Sequence, residues 1–139
     1  MKESIILNWD SGMAFSTEID GHSIQVDAHP EHGGSGKGPR PKPLLLAALA
    51  GCTAMDVVSI LNKMKVEMRD FKVEVIANQT EEHPKVYDRF KLVYHVFGEN
   101  IPLEKVEKAV DLSQEKYCGV SAMLKKAAEL TYEIQLHQD

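Results

Sequence analysis

Two residues in this chain have the chemistry of a redox or nucleophilic site. They are Cys52, in LLLAALAGCTAMDVVSIL (residues 44–61), and Cys118, in EKYCGVSAMLKKA. Two thiols can bridge as a disulfide, share a metal, or act as attacking and resolving groups in turn. Locally, Cys52 reads first as a small buried hydrophobe, a common fate of free cysteine. It sits about three turns into a helical stretch, beyond the useful reach of the positive helix N-terminus. Asp56, four residues on, would disfavour a thiolate if it were close and unpaired. Cys118 precedes a short helical stretch whose first N–H groups could stabilise negative charge. Its bland reading is a buried turn cysteine.

Other chemistries find less support. A zinc site wants four ligands at recognisable spacing, but no CxxC or HxxxH occurs. His29 and His32 fall in a glycine-rich loop, and His83 and His95 are isolated; two cysteines with two loop histidines is the weaker alternative. Ser121 lacks the GxSxG frame of a hydrolase nucleophile. There is no GxxxxGK[ST] phosphate cradle. No cofactor is implied.

The chain has 139 residues, a length that predicts one domain spanning 1–139 with a core of its own. Apolar residues make up 43% and charged residues 27%, a soluble globular composition. The formal net charge of −5 argues against a nucleic-acid partner. The N-terminal apolar run, Ile5-Ile6-Leu7, is too short for a signal-peptide core. Residues 44–61 read as a core helix rather than a membrane span. A cytoplasmic location is expected, where two distant cysteines are more often free, metal-bound or catalytic than structural.

The elements that must position the thiols follow from periodicity. Ser4 to Trp9 is a short strand. Met13 to Ile19 and Ile24 to Ala28 alternate about Asp20-Gly21, a hairpin signal. Residues 29–43, HPEHGGSGKGPRPKP, read as a flexible loop. Pro41 or Pro43 suits the first turn of a helix that runs to about Lys65. That helix is apolar on nearly every face up to Met55, so a partner subunit is expected to cover part of it. Met55, Met64 and Met68 read as gap fillers in the core. Phe71 to Ala77 and Phe90 to Phe97 pair as antiparallel strands. A helix with Leu103, Val106 and Val110 on one face ends near Tyr117 to Gly119. Val120 to Ala127 forms a short helix, and Leu130 to Leu136 a last strand. The class is α+β with mainly antiparallel sheet.

The two cysteine segments together resemble those of the OsmC/Ohr family of organic hydroperoxide resistance proteins. LLLAALAGCTAMDVV resembles the first cysteine helix, and EKYCGVSAM the second cysteine segment, which typically reads YCPVS. Element order and the 52-to-118 separation also match, over essentially the whole chain. The resemblance implies antiparallel sheets wrapped around long central helices in an intertwined homodimer. It implies a thiol-dependent peroxidase acting on organic hydroperoxides or hydrogen peroxide. Cys52 would form a sulfenic acid and Cys118 would condense with it to a disulfide. A dithiol reductant, often a lipoyl protein in the family, would restore both thiols.

The chain departs from the family pattern at specific places. No arginine precedes Arg40, whereas family peroxidases take a thiolate-stabilising arginine from their N-terminal strands. Lys42 stands where their glutamate would align, and Gly119 replaces the usual proline. Arg40 and Lys42 are thus the candidate cations for the thiolate. These departures set a divergent subgroup apart. The alternative function is a family dimer without efficient peroxidase activity, acting in redox sensing or small-ligand binding.

Overall fold

The computed structural model describes residues 1–138. It divides into two compact units, one spanning Met1–Leu45 and one starting at Leu46.

The first unit is an antiparallel meander of β1 (Asn8–Ser11), β2 (Ala14–Ile19) and β3 (His22–Val26). The hairpin is as the sequence predicts. Asp20 and Gly21 both take positive φ, 51° and 78°, the backbone of a tight two-residue turn. The first strand starts at Asn8, not Ser4. Near Ile6 the chain is tied to β2 by a side chain instead of a ladder: Thr17 Oγ1 donates to the Ile6 carbonyl at 2.7 Å.

The glycine-rich stretch is not a free loop, contrary to expectation. Asp27, 2% exposed, gathers it. Its carboxylate accepts from the N–H groups of Ala28, Ser35 and Lys37 at 2.8, 3.1 and 3.2 Å, and from Ser35 Oγ at 3.2 Å. These bonds, led by the Ser35 amide, hold the Asp27 carboxyl below the usual range although burial opposes them. The glycines let the chain close this tightly. A Cβ on Gly34 would fall 1.7 Å from the Ala28 carbonyl oxygen, and one on Gly38 2.4 Å from that of Gln25.

The second unit carries α1 (Leu44–Lys63, its first two residues preceding the unit boundary), β4 (Asp70–Gln79), β5 (Tyr87–Phe97), α2 (Leu103–Leu112), α3 (Gly119–Leu124) and β6 (Glu129–His137). A π-helical turn, Ser113–Tyr117, follows α2. The sheet order is β4-β5-β6. β4 and β5 are antiparallel from Asp70↔Phe97 to Gln79↔Tyr87. β6 lies parallel to β5, from Arg89↔Glu129 to Phe97↔His137, so this sheet is mixed and not wholly antiparallel. The cause is the connection: a crossover through α2 and α3 can return the chain to the same end of the sheet, which a tight turn cannot.

Alternation along β5 buries Phe90, Leu92, Tyr94 and Val96 on the core face. They pack with Val106, Ala109 and Val110 of α2 and with Leu49, Val57 and Leu61 of α1. The buried residues of α1 are Leu49, Thr53, Val57 and Leu61, one stripe at four-residue spacing. The rest of this apolar helix is not covered: Leu45 is 45% and Met55 75% exposed. Met64 and Met68 do pack on the core, but Met55 does not fill it.

Candidate active site

Cys52 is half-buried on α1, next to the buried stripe. Cys118 is 3% exposed and is placed by the π-helical turn. There the Cys118 N–H donates to the Ser113 carbonyl at 2.7 Å, closing a ring one residue wider than an α-turn. Cys118 itself is extended (φ −79°, ψ 100°) and caps α3 with its sulfur. Cys118 Sγ accepts from the Ser121 N–H at 3.4 Å and from Ser121 Oγ at 3.1 Å.

The fold brings the two thiols close enough for Cys52 to act on the ionisation of Cys118. Burial pushes the Cys118 thiol up; the two donors from Ser121 oppose this, and Cys52 reinforces it. Burial therefore favours the protonated form of Cys118.

Behind Cys118 lies a buried polar network. Ser121 Oγ accepts from Gln114 Nε2 at 3.1 Å. The same amide nitrogen lies 3.1 Å from Tyr94 OH and 3.2 Å from Thr53 Oγ1. Thr53 Oγ1 is 2.7 Å from both Tyr94 OH and Ser113 Oγ. Ser113 Oγ donates to Asp56 Oδ2 at 2.9 Å. Thr53, Ser113 and Ser121 are fully buried, and Gln114 is 5% exposed. Burial raises the Tyr94 phenol to about 12, partly offset by Thr53 and Gln114. At the far end, Asp56, Ser59, Ile60, Lys63, Leu112 and Tyr117 line a cavity of about 360 Å³. Asp56 is thus the acceptor that ends a chain of hydroxyls, which answers where its charge goes.

One atom in this network is unsatisfied. Gln114 Oε1 is buried and has no hydrogen-bond partner. An orphaned buried acceptor costs about 1–3 kcal/mol, so stability alone does not account for the amide.

The other residues singled out by sequence fall elsewhere. Arg40, exposed, and Lys42, half-buried, belong to the first unit, in the stretch just before α1. His29 Nδ1 accepts from the Glu31 N–H within a short turn at Pro30–His32. Among the described residues, no group of three or more His, Cys, Asp or Glu is placed to hold a metal ion.

Sequence reading gave Thr53, Tyr94, Ser113 and Gln114 no role. A signal was present. Val106 and Val110 set the buried face of α2, and that face continues to positions 113 and 114, where polar residues stand. Thr53 likewise interrupts the Leu49–Val57–Leu61 stripe. A polar residue where helical phase demands an apolar one marks an interior network.

Residues 34–133 match the family described as OsmC-like protein. Protein YhfA of Escherichia coli (strain K12) is 38% identical over 132 residues, 94% of this chain and 95% of that protein. The crystal structure of a hypothetical protein from Aquifex aeolicus VF5 superposes with a TM-score of 0.84 at 29% identity, covering 99% of both chains. The organic hydroperoxide resistance protein OhrB of Bacillus subtilis shares the fold, with a TM-score of 0.67 at 17% identity over 96% of this chain and 98% of that one.

Proposed function

The chain belongs to the OsmC-like protein family, and from that membership and its paired thiols we propose that it is a thiol-dependent peroxidase for organic hydroperoxides or hydrogen peroxide. The observation that carries this reading is the proximity of Cys52 and Cys118, side chains 66 positions apart in sequence, close enough that Cys52 acts on the ionisation of Cys118. Cys52 thiolate attacks one peroxide oxygen. The O–O bond breaks, the distal fragment leaves with a proton as an alcohol or water, and Cys52 becomes a sulfenic acid. Cys118 then condenses with it to a disulfide with release of water, and a dithiol of the lipoyl class returns both thiols by exchange. Roles follow burial: Cys118, buried, resolves, and the less buried Cys52 attacks.

The active species in this reading is a cytoplasmic homodimer. The exposed apolar residues of α1, Met55 at 75% and Leu45 at 45%, support a second copy covering that helix. The relatives span both units at once, which supports treating residues 1–139 as one OsmC-like domain. Lys42 lies before the start of α1, ten positions ahead of Cys52, and in this reading it or Arg40 would serve the thiolate from the partner subunit.

The test is peroxide consumption with a dithiol reductant. Turnover that is lost in Cys52→Ser supports the reading, and turnover equal to the parent's in that variant defeats it. A second reading, an OsmC-like dimer that senses redox state or binds a small ligand without efficient turnover, is favoured by the burial that keeps the Cys118 thiol protonated. It predicts a disulfide that forms with peroxide in minutes but does not cycle.

A further inference from the structure

We propose that Gln114 is a positioning residue for the resolving thiol: its side-chain amide fixes the Ser121 hydroxyl so that the Ser121 proton points at Cys118 Sγ. This deepens the peroxidase reading and rests on it for the role given to Cys118. Gln114 Nε2 donates to Ser121 Oγ at 3.1 Å, and that contact fills an acceptor lone pair of Ser121. The Ser121 proton must then go elsewhere, and Cys118 Sγ lies 3.1 Å away.

The other amide proton goes toward Tyr94 and Thr53. From there the hydroxyls can pass donation in one direction only. Tyr94 donates to Thr53, Thr53 to Ser113, and Ser113 to Asp56, whose ionised carboxylate only accepts. Every hydroxyl proton is thereby committed toward one of two sinks, the Asp56 carboxylate or the Cys118 sulfur. None is left for Gln114 Oε1, the buried acceptor that has no partner. Turning the amide over would strand two N–H donors in place of one carbonyl oxygen and would draw the Ser121 proton away from the sulfur. Orphaned buried N–H groups are the rarer case.

The use of this arrangement comes after peroxide has reacted. While Cys52 is a thiolate, its charge helps hold the proton on Cys118. Once Cys52 is a neutral sulfenic acid that charge is gone, and the two donors from Ser121 remain. Cys118 then gives up its proton, its thiolate attacks the Cys52 sulfur, the S–S bond forms and the S–O bond breaks. The leaving hydroxide takes up a proton, so that one water is released.

The experiment titrates Cys118 in a Cys52→Ser background, which removes the Cys52 charge as oxidation does. The readout is the Cβ resonance of isotope-labelled cysteine against pH, with no peroxide present. Ser121→Ala should raise the titration midpoint by about one unit, a tenfold drop in thiolate at fixed pH. Gln114→Met should raise it by about half a unit, roughly a threefold drop, and should add nothing to Ser121→Ala in the double variant, because it acts through that hydroxyl. Gln114→Glu, close to isosteric and accepting when ionised, should raise it at least as far as Ser121→Ala. With both cysteines restored, disulfide formation after a peroxide pulse should slow by matching factors at neutral pH, with the difference closing as pH rises. An unchanged midpoint in Gln114→Met and Gln114→Glu, or shifts that add fully to that of Ser121→Ala, would overturn the proposal. Either result leaves the peroxidase reading standing. Absent peroxide turnover with these shifts intact would count against that reading alone.

Discussion

Thr53→Val tests whether the buried network is held together as its geometry implies. The substitution replaces a hydroxyl by a methyl group at nearly constant size, so the change is chiefly polar. Thr53 Oγ1 touches Tyr94 OH and Ser113 Oγ at 2.7 Å each and Gln114 Nε2 at 3.2 Å. Ser113 keeps its acceptor, Asp56 Oδ2 at 2.9 Å, and Tyr94 keeps the donor Gln114 at 3.1 Å. The main loss is the acceptor for the Tyr94 proton, in a side chain with 0% exposure. A buried donor left unpaired costs about 1–3 kcal/mol, and the new buried methyl returns up to about 1 kcal/mol. The expected net destabilisation is about 1–2 kcal/mol. Tyr94→Phe removes the stranded proton itself, so the double variant should lose about 1 kcal/mol less than the sum of the two singles. Urea unfolding followed by far-ultraviolet circular dichroism, at one fixed protein concentration, measures all four proteins. A Thr53→Val variant within 0.5 kcal/mol of the parent, or strict additivity, would refute the network as drawn.

Three further outcomes are expected. Asp27 has a lowered pKa, so its contribution is present above the ordinary value of 3.8 and is lost as pH falls through the depressed one; protection of the Ser35 and Lys37 amides in hydrogen exchange should disappear in that acid range, and Asp27→Asn should weaken it already at neutral pH. Tyr94, through burial, and Tyr132, through its hydrogen bond to Asp111, are both raised from 10.0 to about 12, so they favour the folded state below pH 10 and that contribution drains away as pH climbs toward 12; ultraviolet titration should show two late phenols, one removed by Tyr94→Phe and one by Tyr132→Phe. Met55→Lys places a charge on the exposed apolar face of α1 and should shift a sedimenting dimer toward monomer, whereas a monomeric parent would contradict the dimer reading.

Much of the fold is legible in the sequence because period and turn chemistry are local. The Asp20-Gly21 hairpin, the β4–β5 pair and both longer helices follow from alternation, helical phase and positive-φ turn residues. What failed was non-local. The glycine-rich stretch reads as free until Asp27, several residues earlier, is seen to collect its amides. The parallel placement of β6 depends on where two helices return the chain, which no window of sequence contains. At the site, the pairing of Cys52 with Cys118 came from resemblance and not from local chemistry, since Cys52 alone reads first as packing and Cys118 alone reads as well as a buried turn cysteine. The supporting network was hidden for the same reason: its members lie on α1, β5, the π-helical turn and α3, and only the fold brings them to one place. Asp56 reads from sequence as a charge that would oppose a thiolate; its hydrogen bond from Ser113 makes it the end of that network instead.

The central claim is that peroxide drives Cys52 and Cys118 into one disulfide. The direct measurement is mass spectrometry of the unreduced protein after one equivalent of an organic hydroperoxide. The account predicts the loss of two hydrogens and a proteolytic fragment joining the Cys52 and Cys118 peptides, both reversed by a dithiol, with Cys118→Ser trapping a sulfenic acid on Cys52. Two free thiols after that treatment, or an oxidised Cys118 beside an untouched Cys52, would contradict it.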